Sequence, residues 1–206
     1  MLKRPEYAWR GTQDDLRALV AAHPWATLVS STSHGLLVSH LPVLPDGADE
    51  LQVVGHLARS DADEHELGRA DTVLIVQGAH GYISAGWYVG GPYVPTWNYV
   101  VVHLHGRPDV LDAEETWDVL DRTVDHFEAV RAEPFRTADV ADYARRLAPH
   151  VTGFRLTPAA VDAKAKLSQD KPESDLEGVL RGLTDSNDPH ADDVLADAMR
   201  RGGIPR

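Results

Sequence analysis

Between positions 77 and 99 the chain interleaves Tyr82, Trp87, Tyr88 and Trp97 with His80, Ser84, Thr96 and Asn98, and with glycines at 78, 81, 86, 90 and 91. A long, polar, aromatic and glycine-rich connection suits a planar ligand: glycine permits close backbone approach, rings stack, and a few polar groups orient. The same composition also suits a tight turn system whose Trp and Tyr cap the end of a barrel. Eleven histidines invite a metal reading, and the alternation in His103-x-His105 puts two rings on one strand face. No His-Glu-x-x-His and no cysteine completes a zinc set, so no metal site is assigned. A haem iron needs only one histidine on a pocket wall. The fingerprints of Rossmann and P-loop sites are missing. Ser39 and His40 are adjacent and so lie on opposite faces of a strand, which argues against a serine hydrolase. Arg59, Lys164, Lys166 and Lys171 are basic residues near polar runs; they could hold an anionic group, or be solvated cations on an acidic protein.

The elements that must position these residues are mostly short strands. Ala26 to Ser31 and Leu36 to Leu41 read as a hairpin across Thr32-Ser33-His34-Gly35, with Pro42 and Pro45 stiffening its exit. Leu51 to Leu57, Thr72 to Gln77 and Tyr99 to Arg107 add three strands, and Thr152 to Leu156 a closing one ended by Pro158. Helices are expected over residues 13 to 23, closed by Pro24, over about four turns from Ala113 with Asp112 as N-cap, and from Ala138 to Leu147. Ser60 to Ala70 suits a turn of helix. So many strands with so few helices between them argue for an antiparallel barrel or sandwich, not a doubly wound sheet. One domain is expected over residues 1–183, with C-terminal helices and a closing strand. Residues 184–206 read as a mobile tail or a loosely docked helix.

Composition narrows the classes. The chain has 206 residues, of which 43% are hydrophobic and 25% charged, as in ordinary globular domains. Twenty Lys plus Arg against 32 Asp plus Glu leave a net charge of −12, so a broad basic footprint for nucleic acid is missing. Without cysteine, disulfides, thiolate catalysis and iron–sulfur clusters are excluded. Apolar runs such as Val73 to Val76 fall far short of the ~20 residues a membrane helix needs. The start, Met-Leu-Lys-Arg-Pro-Glu, lacks the apolar stretch of a signal peptide, and the expectation is a cytoplasmic protein.

Five motifs in register carry a resemblance. Ser39-His40-Leu41-Pro42, Gly55-His56-Leu57-Ala58-Arg59, Gly81-Tyr82-Ile83-Ser84 with Trp87-Tyr88, Pro95-Thr96-Trp97-Asn98-Tyr99 and Lys166-Leu167-Ser168-Gln169 follow the order and spacing of the PaiB-like family of FMN-binding negative transcriptional regulators. The match runs over about residues 5 to 183. The resemblance implies an antiparallel FMN-binding split β-barrel with added helices, of the flavin reductase and pyridoxamine-phosphate-oxidase type. It further implies a homodimer with prosthetic-group sites at the subunit interface. By position, Ser39, His40, Gly55, His56, Leu57 and Ala58 would border the isoalloxazine and ribityl chain, and Arg59 would face the phosphate. Tyr82, Ser84, Thr96, Trp97 and Asn98 would line the site from one subunit or its partner, and Lys166, Ser168 and Gln169 would close it.

Departures from the pattern bear on affinity. Relatives follow the arginine with Ala-Asn-Pro-x-Trp, where this chain has Ser60-Asp61-Ala62-Asp63-Glu64, and two prolines of the Tyr82 motif are replaced by Ala79 and Ala85. Three carboxylates near a phosphate repel it unless they point away. The leading reading is a flavin protein with small-molecule redox or metabolite-linked regulatory work. A second is haem b, because the resemblance extends to piperazate synthases, which join two nitrogens of a hydroxylated ornithine. His40, His56, His80, His103 and His105 are then the candidate ligands, with Asp61, Asp63 or Glu64 for an ammonium substrate. A third is a transcriptional regulator acting through a protein or metabolite without strong direct DNA binding. The substrate, and whether the chain is an enzyme at all, stay open at this level.

Overall fold

A Thr12 whose amide and hydroxyl both donate to Asp15 starts the first helix, α1 (Gln13–Ala22), which buries Leu16, Leu19 and Val20 at the expected spacing. The computed structural model describes residues 5–47 and 50–203; the first four residues of the N-terminal reading and the last three of the tail lie outside them. The strands are β1 (Trp25–Thr32), β2 (Gly35–Asp46), β3 (Gln52–Ala58), β4 (Asp71–Ile83), β5 (Thr96–Gly106), β6 (Asp109–Val110), β7 (Val151–Leu156) and β8 (Ala160–Lys166). They hydrogen-bond in the order β6-β7-β3-β2-β1-β4-β5-β8. The fold is mainly antiparallel β with added helices, as the sequence pattern requires. The other helices are α2 (Arg59–Glu64), α3 (Ala113–Glu128), α4 (Ala141–Leu147), α5 (Glu173–Leu183) and α6 (Asp193–Arg200). Two compact units divide the chain, one of residues 5–22, 77–102 and 162–203, the other of His23–Val76 and His103–Val161.

In the second unit β1 and β2 form the expected hairpin, turning at Ser33-His34 with Gly35 at φ +115°, where a side chain is strained. Pro42 and Pro45 do not end β2. Pro42 pairs with Trp25 in the last rung of β1, and from Val43 the strand pairs with β3 instead. A residue without an N–H is tolerated at such a change of partner. Leu28, Val53, Leu74, Phe154 and Leu156 are fully buried, and Gly55 lies under Phe154, whose ring a Cβ there would meet at 2.9 Å. On the opposite face Leu44 and Val54 pack with Leu111 and with Val119 of α3. Asp112 caps α3 through the amides of Glu114 and Glu115, and Glu115 returns to the Asp112 amide, a complete capping box. Asp46 accepts from Arg155 at 2.9 Å and lies 3.0 Å from Arg122. Burial works against its charge, yet the two guanidiniums hold it below the usual carboxylate range. The helix expected over 138–147 is a 3-10 turn, Thr137–Val140, followed by α4. Its apolar residues Val140, Tyr143 and Leu147 are exposed.

In the first unit Gly78 sits against Leu19 and Val100, and Gly81 against Leu195 of α6. Asp192 caps α6, whose Leu195, Ala196 and Met199 are buried. Helix α5 turns Gly178 and Gly182 toward Trp87: a Cβ would lie 2.2 Å from the Trp87 carbonyl oxygen at the first and 2.4 Å from its ring at the second.

Candidate functional site

In the second unit the end of β3 runs directly into α2, so Ala58 is the N-cap and Arg59 the first helical residue. Arg59 donates from Nε to the Pro149 carbonyl at 2.7 Å and from Nη2 to Val151 at 3.3 Å. It thereby lines a cavity of about 440 Å³ walled also by Leu111, Thr116, Trp117, Arg145 and Thr152. The Arg145 guanidinium lies 4.3 Å from the centre of the Trp117 ring. Neither arginine is ion-paired with a carboxylate among the described residues, whereas Arg17, Arg107, Arg122, Arg136 and Arg155 all are. Asp112 and Glu114 also line the wall, but Asp112 Oδ1 is turned to the two cap amides. Asp61, Asp63 and Glu64, the carboxylates that follow Arg59, are exposed to water. Alternation along β2 sends Ser39 to the face of Leu28 and Leu41, and His40 to the exposed face, where Nδ1 and Thr27 Oγ1 are 3.0 Å apart. Gly55 and Leu57 share the core face, while His56 shares the other with Gly153.

The remaining sequence-derived residues belong to the first unit, where they bind one another. Lys166 Nζ donates to Thr96 Oγ1 and to the Trp97 carbonyl, tying β8 to β5. Burial lowers the pKa of Lys166. Asn98 is fully buried and donates to Ser168 Oγ at 2.9 Å. Ser168 itself has φ +63°, a left-handed conformation for a residue with a side chain. Gln169 spans its own turn, accepting from the Leu167 amide and donating to the Ala165 and Glu6 carbonyls. Thr96, Lys166 and Ser168 line a recess of about 190 Å³ with Tyr7, Tyr88 and Tyr93. Tyr82 meets Trp97 edge-on at 6.4 Å, and Trp97 is 56% exposed, so its ring has a free face. Ser84 is a capping residue: its Oγ accepts from Gly86 in a 3-10 turn.

Several residues of this architecture escape the sequence reading. The connection after β4 is pinned, not loose: Asp175 of α5 accepts from the Val89 and Gly90 amides, and Trp87 Nε1 donates to Asp188. Trp87 and Tyr88 thus serve packing, Tyr82 is half-buried with the His190 ring 4.7 Å away between centres, and Trp97 is the exposed ring. Arg145 is missed because no motif surrounds it. His65 is missed because it stands in the stretch where the chain departs from the family pattern; it is buried between Ser30 and Ser39.

The candidate iron ligands differ in readiness. His56 is half-buried, its burial lowers its pKa, and among the described residues its buried Nδ1 has no hydrogen-bond partner. His80 is exposed, and its Nδ1 lies 2.9 Å from the Gly78 carbonyl. A carbonyl only accepts, so Nδ1 carries the proton and Nε2 keeps its lone pair. His103 and His105 do share a strand face, with ring centres 6.3 Å apart. Among the described residues no group of three or more His, Asp or Glu side chains could hold a metal ion.

Comparison with known proteins decides the family. The family model described as "Putative FMN-binding domain" matches residues 1–160. The chain belongs to this FMN-binding domain family. Among curated relatives of this FMN-binding domain chain, the "Protease synthase and sporulation protein PAI 2" of Bacillus subtilis (strain 168) is 26% identical over 190 residues, 91% of each chain. The PaiB resemblance carried by the five motifs is therefore borne out. Of solved structures, the FAD and haem binding protein from Mycobacterium smegmatis aligns with a TM-score of 0.59 at 15% identity, over 83% of this chain and 78% of that one. The flavocytochrome Anf3 from Azotobacter vinelandii gives 0.56 at 19% identity, over 76% and 68%. At such identities the likeness establishes the shared split-barrel fold of the FMN-binding domain family and nothing finer.

Proposed function

We propose that this chain binds FMN as a homodimer and uses it for small-molecule redox chemistry or a metabolite-linked regulatory role. The observation that carries the reading is the placing of Arg59 and Arg145 on one cavity wall, without carboxylate partners among the described residues, in a chain of net charge −12. Unpaired guanidiniums beside threonine hydroxyls are the donor set a phosphate calls for, and a guanidinium binds it through two parallel N–H bonds. Arg59 is already fixed by two carbonyls, which leaves Nη1 for the anion at little further loss of side-chain freedom. Exposure of Asp61, Asp63 and Glu64 lets water and salt screen the repulsion that the sequence raises. Ser39, His40 and Gly55 to Ala58 serve the ring and ribityl chain in this reading, and the resemblance adds Tyr82, Ser84, Thr96, Trp97, Asn98, Lys166, Ser168 and Gln169, from one subunit or its partner. When bound, the flavin supplies the electron or hydride transfer, and the protein supplies binding and orientation.

An uncovered sheet face supports the homodimer. Trp25, Leu36 and Val38 are 65%, 76% and 53% exposed. Val38 pairs with Val29, and Val29 with Val73, so one apolar row crosses three strands. A second copy laying the same face against it gives a self-complementary, two-fold interface. Among the described residues no helix is long and apolar enough to cross a membrane, and the proposal takes the protein as cytoplasmic. Any regulatory role runs through a protein or metabolite, because a charge of −12 opposes phosphate neutralisation.

Haem is the second reading. His80 supports it, with Nδ1 spent on the Gly78 carbonyl and Nε2 open, the arrangement common in ring-ligated iron. An absorbance spectrum of the purified protein separates the two, repeated after adding FMN or haemin and desalting. Bands at roughly 370 and 450 nm support flavin, and a Soret band near about 400 nm moves the assignment to haem. An empty spectrum under all conditions overturns both.

A further inference from the structure

His65, immediately after α2, has no solvent exposure, and both ring nitrogens are engaged: Nδ1 lies 2.7 Å from Ser30 Oγ and Nε2 lies 2.8 Å from Ser39 Oγ. The turn that carries it is anchored by Glu66, at φ +47°, whose carboxylate accepts from both the amide and the hydroxyl of Ser33. Burial lowers the pKa of His65, with the Asp61 carboxylate opposing, so the ring is neutral near pH 7. A neutral imidazole has one donor nitrogen and one acceptor nitrogen, and a serine hydroxyl has a single proton to give.

Ser30 decides the polarity. It is as buried as the ring, and among the described residues its Oγ has no hydrogen-bond partner other than His65 Nδ1. Its proton can go nowhere else, and a buried donor left unused is what folded proteins avoid. Ser30 therefore donates to Nδ1, the ring proton resides on Nε2, and Nε2–H donates to Ser39 Oγ. Ser39, half-buried on β2, accepts from the ring and keeps its own proton unspent. The reverse polarity strands the Ser30 proton in the core.

We infer that Ser30, His65 and Ser39 form a one-way hydrogen-bond chain that makes the Ser39 hydroxyl a dedicated donor to an unprotonated oxygen or nitrogen of the bound flavin. The flavin as recipient rests on the function proposed above; the polarity of the chain does not. His65 is a positioning residue here, and Ser39 the one in contact. The arrangement favours a ligand that presents a bare acceptor at this point and disfavours one that presents an N–H or O–H.

Two measurements test it. Long-range proton–nitrogen correlation on protein with nitrogen-15 histidine, without added ligand, should show one imidazole with a protonated Nε2 and a bare Nδ1; His65→Gln removes and so assigns the signal. In Ser30→Ala that ring should lose its single tautomer. A ring protonated on Nδ1 overturns the chain. FMN titration followed by flavin fluorescence should give about tenfold weaker binding for Ser39→Ala and for His65→Leu, in proteins checked for folding by circular dichroism. His65→Gln, whose carboxamide N–H can replace Nε2–H, should bind within about twofold of the parent. Unchanged affinity in Ser39→Ala overturns the role of Ser39 while leaving FMN binding intact. Failure of the parent protein to take up FMN removes the flavin as recipient, and the nitrogen spectrum still reports on the chain by itself.

Discussion

The Asp175 carboxylate accepts the Gly90 backbone amide at 2.7 Å, and the same oxygen takes the Val89 amide at 2.8 Å. These amide bonds, led by that to Gly90, and the Tyr93 hydroxyl hold its pKa below the usual carboxylate value. A group whose folded pKa is depressed lends stability that is complete above its unfolded value, about 3.9, and is lost as pH falls through the lower folded one. Asp175→Asn should lower the melting temperature at pH 7 and flatten its dependence on pH below about 4. Thermal melts of both proteins from pH 7 to pH 3 check this. Parallel curves exclude Asp175 as a contributor to acid sensitivity.

The two α5 glycines give a graded prediction. Gly178→Ala brings a methyl against the Trp87 carbonyl, which is backbone and cannot rotate away, whereas the methyl in Gly182→Ala meets a ring. Overpacking of this kind costs about 1–3 kcal/mol, or roughly 3–10 °C in a chain of this size. Gly178→Ala should be the more damaging, as read by thermal melting.

Arg145 is the cation that no motif announces, which makes its replacement the more telling one. Arg145→Ala should weaken FMN binding by about tenfold, and Arg59→Ala by about tenfold or more, the range for loss of a charge-assisted hydrogen bond. Riboflavin, which lacks the phosphate, should bind equally to parent and variants. A riboflavin affinity that falls in step with that for FMN means the cavity does not hold the phosphate.

Most strands could be read from the sequence because their apolar residues alternate, and α3 because Asp112 and Glu115 announce its start. The boundaries of β2 could not, since Pro42 and Pro45 read as stops, whereas Pro42 falls where the strand changes partner from β1 to β3 and Pro45 pairs with Val53 beyond that change. Strand β8 was hidden by Asp162, Lys164 and Lys166, whose polar tips mask the strand period, and α5 by its two glycines, which mean helix only once Trp87 is seen between them. For the candidate site, motif spacing supplied Arg59 and Lys166. It had no means of supplying His65 or Arg145, because what matters there is a neighbour distant in sequence.

The exposed apolar row on β1 and β2 should govern association. Val38→Lys places a charge at the centre of that face, and in a two-fold interface it meets its own copy or another apolar row. Light scattering after gel filtration should show a dimer for the parent and a monomer for the variant, with unchanged circular dichroism. A parent that runs as a monomer overturns the homodimer.

Eight consecutive rungs join β1 to β2, from Trp25 with Pro42 to Thr32 with Gly35. Ser39 and His40 are neighbours in the chain yet belong to different compartments, one wired to an interior histidine and the other facing outward. Odd and even positions of this strand can therefore drift independently, and surface partners can be exchanged while the interior wiring is kept. A single-residue insertion at the Ser33-His34 turn, which shifts the register by one, would exchange the two compartments at once.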